Sequence, residues 1–435
     1  MPHAKKNHTR CRAALPCILG AALFGVFAHR SLAQNAPPLF LQGGLPLEQP
    51  SGDYKALPVG GWLLTPSLFA GAVYDSNVFQ SPQQPVAASG FRIAPSLVAN
   101  LNSGVHNTTL YGNLDGSFYS GAASEKNLVN GHAGISEVYE AQRDLVFNAQ
   151  GDYSHQTSLF SNVVSNPLAS STVLPNAQSL LSPIATSPTS PSSQFTGLVS
   201  FQKTLNHGFV GFGTSVVHTS YQGLSSQDGT VTTVTGKAGY YLTPQLFAYV
   251  QPSFDWRNYA TSSLNSRGYR VVGGLGSDQI GLFRGEIYGG YQAENYTTAP
   301  TTSSGGPIVG ARLTYLPTPY WTLIASVDET LDVATQPNSP TNSLPSSVRT
   351  RSAILQSNYA LSKMWTASGS LGWVEIAYLN NLEVDRNWLF DAKLNYSVWA
   401  NLGFTLEYQY TAVTSNVPLV AYNRSVITAG ISYKY

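Results

Sequence analysis

The chain is poor in cysteine and in charge. Only two cysteines occur among 435 residues, Cys11 and Cys17, so disulfide and thiol chemistry is excluded from everything that follows them. Charged residues make up 10% of the chain, well below the ~25% of an ordinary soluble domain. The two signs nearly cancel, and no basic run occurs after the first 33 residues, so there is no nucleic-acid footprint. No apolar run after Ala33 reaches the ~20 residues of a spanning helix. Five histidines follow Ala33: His106, His132, His155, His207 and His218. None sits in metal-ligand spacing, so neither a metal nor another cofactor is expected. There is no phosphate loop, no Rossmann fingerprint and no recognisable pair of catalytic carboxylates. His155 lies near Asp152 and Ser154, but in a strand Ser154 and His155 point to opposite faces and cannot form a local triad. The chain does not read as an enzyme.

The N-terminus supplies an address. Lys5, Lys6, Arg10 and Arg12 precede an apolar stretch from Ala13 to Ala28, and Ser31-Leu32-Ala33 is a small-x-small cleavage site. Residues 1–33 therefore read as a secretory signal peptide. Cys17 lacks the Leu and small residues that precede a lipoprotein cysteine. Removing the signal takes five basic residues and no acidic ones, leaving 18 basic against 22 acidic. Residues 34–61 hold Pro37, Pro38, Pro46, Pro50 and Pro58 with little periodicity. They read as a Pro-rich periplasmic N-terminal extension.

From Trp62 onward the hydrophobic period is two, the signature of half-buried strands. Phe91, Ile93, Leu97, Ala99 and Leu101 alternate with polar or small residues from Arg92 to Asn102. The same holds for Leu246 to Trp256, Trp388 to Tyr396 and Leu402 to Thr411. Short turns fall at Ser103 to His106, Gln142 to Asp144, Asn206 to Gly208, Thr243 to Gln245, Ser277 to Gly281, Pro317 to Pro319, Ser362 to Met364 and Trp399 to Asn401. Longer loops fall between them: Asp75 to Ser89, Thr157 to Ser193, Thr297 to Gly306 and Thr335 to Ser347. Short turns on one rim and long loops on the other define an antiparallel up-and-down transmembrane β-barrel. About 18 strands (16–18) fill residues 62–435, which places both termini in the periplasm. The least regular, Leu128 to Ala141, carries Glu137 and Glu140 on opposite faces, so one of them belongs at a rim.

Aromatics gather at strand ends, as interfacial girdles do. Tyr240, Tyr315, Tyr320, Trp321, Tyr359, Trp365, Tyr396, Trp399, Tyr433 and Tyr435 lie on the turn side. Tyr74, Phe79, Phe118, Tyr153, Tyr221, Trp256, Tyr291, Tyr378, Trp388 and Tyr410 lie on the loop side. The expected outward faces carry almost no Lys or Arg at mid-strand, where each would cost ~2–4 kcal/mol in lipid.

Gly71 to Phe79 reads Gly-Ala-Val-Tyr-Asp-Ser-Asn-Val-Phe. This tract, followed by a barrel-length chain ending on an aromatic, resembles the β-barrel porin type 2 family of proteobacterial outer-membrane proteins. The final strand, with Ile427, Ile431, Tyr433 and Tyr435 at alternate positions, is similar to the signal read by the barrel-assembly machinery. The resemblance implies an integral, porin-like barrel in the outer membrane of a Gram-negative bacterium, with outer-membrane lipid and that machinery as partners. Families of this kind are often linked to exopolysaccharide export. Asp75 and Asn77 read first as a loop start, since both residue types favour turns, and second as ligands for a solute or cation.

The polar face of each strand is read as pore-lining. It would carry Arg92, Arg270, Arg284, Arg312, Lys393 and Arg424 against Asp115, Asp152, Asp255, Glu286, Asp391 and Glu407, with Tyr111, Gln150 and Tyr249 adding hydrogen-bonding surface. A strongly selective pore would show rings of one sign. A mixed wall suits small polar solutes or sugars, or it pairs internally and selects nothing. Three functions fit. One is a porin-like channel, the second a gated pore exporting polysaccharide with a periplasmic partner. The third is a non-conducting surface barrel serving adhesion or catalysis.

Overall fold

The computed structural model describes residues 56–435 apart from 157–190, 223–224, 226–227, 298–302, 333–346, 380–382 and 418–420. The signal segment, most of the extension and nearly all of the Thr157 loop lie outside the described residues. A short strand β1 (Leu57–Val59) precedes eighteen long ones. These are β2 (Trp62–Asp75), β3 (Ala88–Asn102), β4 (His106–Tyr119), β5 (Leu128–Gln142), β6 (Leu145–Gln156), β7 (Ser192–Thr204), β8 (Gly208–Tyr221), β9 (Gly229–Tyr241) and β10 (Leu246–Tyr259). They continue as β11 (Ser266–Ile280), β12 (Phe283–Tyr296), β13 (Ser304–Thr318), β14 (Trp321–Asp332), β15 (Val348–Ala360), β16 (Trp365–Tyr378), β17 (Val384–Ser397), β18 (Leu402–Ser415) and β19 (Tyr422–Lys434).

Each long strand pairs antiparallel with its sequence neighbours. The sheet closes where β19 meets β2, from Val426 opposite Asp75 to Lys434 opposite Ser67. The result is a closed 18-stranded antiparallel barrel, so no edge is left to aggregate. The strands run 12 to 15 residues, longer than the ~9–11 needed to cross a bilayer, so they project beyond it. Strand β1 adds to the expected count. It lies in the segment read as an unstructured extension, yet Leu57 pairs with Leu64 and Val59 with Trp62. It covers the stretch of β2 below Ser67 that β19 does not reach, satisfying an otherwise open backbone edge.

Alternation works as the period-two argument requires. Leu97, Leu114, Val250, Ile287, Val309, Leu371, Leu406 and Ile431 all point outward and are exposed. On the turn side an aromatic row crosses five strands in register. His106 stacks on Tyr139 at 4.5 Å, Tyr139 on Phe147 at 6.2 Å, then Phe201 and Phe212 follow at 6.1 and 6.3 Å. Trp365 meets Tyr396 at 4.5 Å and Trp321 meets Tyr359 at 5.5 Å on the same rim. Glu137 is the rim carboxylate. It accepts from His106 Nδ1 at 2.7 Å and from the Thr108 hydroxyl, beside that row.

Three sequence-based expectations differ from the structure. Phe79, Tyr221 and Tyr378 are not girdle residues. Phe79 packs on an inner cluster with Val73, Val78 and Tyr119, and Tyr221 and Tyr378 are buried on their strands' inward parity. The turns after β11 and β13 fall later than read, because irregularities between Ser277 and Ile280 and between Tyr315 and Thr318 add residues to the strands. The inward face is not uniformly polar. Val348, Ile354, Val374, Ile376, Tyr378 and Leu389 form one buried apolar cluster, and Phe209, Phe247, Tyr249, Val272 and Ile308 form another. Finally, the wall has a seam. Pairing between β13 and β14 stops at Gly310 opposite Asp328, while their other partners continue toward the loops. The Gln292 amide caps the opened edge, donating to Leu331 O at 2.8 Å and accepting from Leu331 N at 3.3 Å.

Candidate functional site: the inner wall

The inward parity brings the charges of distant strands together. Arg92 on β3 is the centre of one belt. Its Nε and Nη2 donate to the two oxygens of Asp115 on β4 at 2.9 and 2.7 Å, a fork-to-fork pair. Its Nη1 donates to Glu407 on β18 at 2.7 Å, across the two intervening strands β2 and β19. Glu407 faces Lys393 in register and accepts from Gln409 Nε2 at 3.0 Å. Asp391 is buried beside them, and its Oδ2 has no hydrogen-bond partner among the described residues. A cleft runs along this belt, bounded by Arg92, Asp115, Tyr119, Asp391, Gln409 and Arg424.

The opposite wall, β9 to β14, repeats the arrangement. Lys237 Nζ lies 3.3 Å from Glu286 Oε2 and 4.1 Å from the centre of the Tyr249 ring. Arg312 faces Glu286 in register, with Arg284 one step nearer the turns. Arg270 lies over the Tyr288 ring at 5.3 Å and 3.8 Å from Asp328, and Tyr288 donates to Asp328. Arg257 joins Asp255 at 2.7 Å to Glu294 at 3.0 Å. On β4 to β6, Tyr111 donates to Asp152 at 2.9 Å and accepts from Gln150 at 3.4 Å, while His132 pairs with Asp152.

All fifteen residues read as pore-lining thus fall on the inner wall. The pore-lining reading leaves out Lys237, Arg257, Glu294, Asp328 and Asp385 on the same face, and Asp75, which it treats as a loop start or ligand, lies there too. On the inward parity of the strands acidic residues then outnumber basic ones, a slight acidic excess rather than the balance expected. The signal that finds them is parity: Lys237 alternates with Gly236 and Ala238, Asp328 with Val327. His155 sits on the outward face and bonds Ser193 at 2.9 Å, away from inward Ser154, so no triad forms there. No cluster of metal-ligating side chains occurs among the described residues.

Asp75 and Asn77 are spent on structure. Arg424 clamps Asp75 through Nε at 3.1 Å and Nη2 at 2.6 Å, and Tyr119 donates to the same carboxylate at 3.2 Å. Asp75 also accepts from Asn77 N at 3.0 Å, an Asx turn. Asn77 then ties the loop to itself through Ser81 and to β19 through Asn423 O at 3.2 Å. The tract from Gly71 to Phe79 is a latch on the seam where the barrel closes.

A closed barrel with an apolar outside, two aromatic rims and a charged, hydrogen-bonding inside defines an outer-membrane protein of the porin type. The chain belongs to the Putative beta-barrel porin 2 family, whose sequence model matches residues 49–435. No curated protein matches the chain. Among solved structures it is similar to the siderophore receptor PirA of Acinetobacter baumannii, at 9% identity over 85% of this chain and 80% of that one, with a TM-score of 0.41. It is also similar to the FrpB iron transporter of Neisseria meningitidis, at 10% identity, 88% and 83% coverage and a TM-score of 0.43. Likeness at this level carries no argument about what this chain transports.

Proposed function

We propose that the protein is a channel for small polar solutes, sugars foremost, with its termini and short turns in the periplasm and its long loops outside. Barrels of 16–18 strands are wide enough to leave an aqueous passage. The observation that carries the reading is the internal pairing of the wall charges. Arg92, Lys237, Arg257 and Arg424 each already hold a carboxylate, so little unbalanced field remains to sort ions. Between the two charged walls, the inward parity of β7 to β9 carries no charge except Lys237, and Thr196, Ser200, Gln202 and Thr235 are packed into the wall there. The outward Ile427, Ile431 and Tyr433 and the terminal Tyr435 serve as the assembly signal. The role is passage rather than catalysis.

Planar-bilayer recording of the refolded mature protein tests this. Steady conductance steps, interrupted by neutral oligosaccharides, are the expected result. A barrel that inserts but stays silent would overturn the passive channel in favour of a gated polysaccharide exporter or a surface barrel.

A further inference from the structure

On β14 to β17 the outer face carries charge. Glu329, Arg351, Glu375 and Arg386 face one another in register across four strands. They form an unbroken row: Arg351 Nε to Glu329 at 3.4 Å, Arg351 Nη1 to Glu375 at 3.1 Å, Arg386 Nε to Glu375 at 2.8 Å. Their parity is that of the exposed Val327, Leu355, Leu371 and Trp388, so they point away from the lumen. The arginine side chains stay open to solvent, 46% exposed for Arg351 and 57% for Arg386, while the glutamates are largely covered at 16% and 12%. The terminal amino groups of Arg386 make no bond among the described residues.

Height fixes the surroundings of this row. One step nearer the turns, Trp373 faces Trp388; eight residues further down the same strands, Trp365 faces Tyr396. At ~3.4 Å per residue and a tilt of ~40°, those two aromatic rows stand about 21 Å apart, close to the ~25 Å apolar band of such barrels. The charged row therefore sits at headgroup level. It is also local. At that height the outward residues of the other strands are aromatic, small or uncharged polar, apart from Arg267 on β11 and Arg349, which is drawn toward Gly306 at the wall seam.

We propose that this row binds the phosphorylated headgroup of an outer-leaflet glycolipid. Guanidinium forks held in one plane by carboxylates match phosphate geometry. The glutamates, level with the arginines on the neighbouring strands, hold them in place, and the phosphates take the solvent side. Assigning the outer leaflet rests on the proposed orientation of the barrel, with the loops outside.

The test uses the refolded mature protein in phospholipid nanodiscs doped with bisphosphorylated lipid A. Binding is read by native mass spectrometry and by the fluorescence of the adjacent tryptophans. Wild type is expected to retain lipid A and to bind the dephosphorylated lipid about 10-fold more weakly, the scale of one or two charged hydrogen bonds. The R351Q/R386Q variant loses the same discrimination, R351K/R386K keeps part of it, and R267Q keeps all of it. Heat-modifiable electrophoretic mobility confirms that each variant is folded. Equal binding of both lipids to wild type, or an unchanged affinity in folded R351Q/R386Q, would overturn the proposal. So would saturation of the site by inorganic phosphate with equal affinity. Orientation is read separately. A cysteine introduced by Gln83→Cys in the exposed β2–β3 loop is expected to react with an impermeant maleimide on intact cells. Failure there refutes the orientation and with it the outer-leaflet assignment, while the nanodisc assay reads phosphate recognition by the row from either leaflet.

Discussion

Two sectors of the barrel obey the same alternation with different content. Around β2 to β4 and β18 to β19, charge lies inside, at Arg92, Asp115 and Glu407, and the outside is Leu97, Leu114 and Leu406. Near the loop ends of β14 to β17, charge also lies outside, at Glu329, Arg351, Glu375 and Arg386, while the inside packs the apolar Val374, Ile376 and Tyr378 beside the buried Asp385 and Asn387. Strand parity decides only which side chains share a face. What that face may hold depends on its height in the membrane. Within the hydrocarbon an outward charge is costly. Above it the outer face is wet and can carry charge.

The largest effect is expected at the latch. Asp75→Ala would leave the buried Arg424 guanidinium without its partner and untie Asn77. Removing one member of such a buried pair costs about 3–5 kcal/mol, expected as a marked fall in the urea midpoint of the barrel refolded in vesicles. A midpoint within error of wild type would refute the structural role given to the Gly71–Phe79 tract. The next effect separates the two sectors on one face. Leu371→Arg, in the apolar band of β16, should cost ~2–4 kcal/mol in the same titration. Arg386→Leu, above the band on β17, should change stability by no more than about 1 kcal/mol, the worth of an exposed ion pair. Equal penalties would mean that the charged row is not at headgroup height.

Arg92→Met acts on selectivity. It frees Asp115 and Glu407 from their counter-charge, so the cation-to-anion permeability ratio should rise several-fold, read as a shifted reversal potential in a salt gradient. An unshifted potential would place that belt off the ion path. The smallest effect is at the turn rim. The Lys203 ammonium, 2.9 Å away, holds the exposed Asp144 carboxyl below its ordinary value. A depressed acid contributes stability above its unfolded pKa and loses it as pH falls through the folded one. Asp144→Asn should therefore flatten a slight, salt-screened pH dependence in the acid range and change nothing at neutral pH.

Much of this was legible in the sequence. Period two placed the strands, and polar parity put all fifteen nominated residues on the inner wall. The misplaced girdle residues share a cause: an aromatic at a strand end faces lipid only on the outward parity. Tyr221 and Tyr378 fill the inner loop-side end, whereas Arg351, Glu375 and Arg386, which no pattern of alternation nominates, face outward where the lipid has ended. The pairing of Arg92 with Glu407, 315 residues apart, depends on closure and curvature that no local pattern encodes. The opened β13–β14 edge, satisfied by Gln292 two strands back, is equally invisible to periodicity.

The proposed channel rests on a water-filled lumen whose wall charges neutralise one another. Single-channel recording of the mature protein under a potassium chloride gradient tests it most directly. Steady steps with only a weak preference for cations are predicted, in keeping with the slight acidic excess. Insertion without current, or near-ideal selectivity for one ion sign, would contradict it.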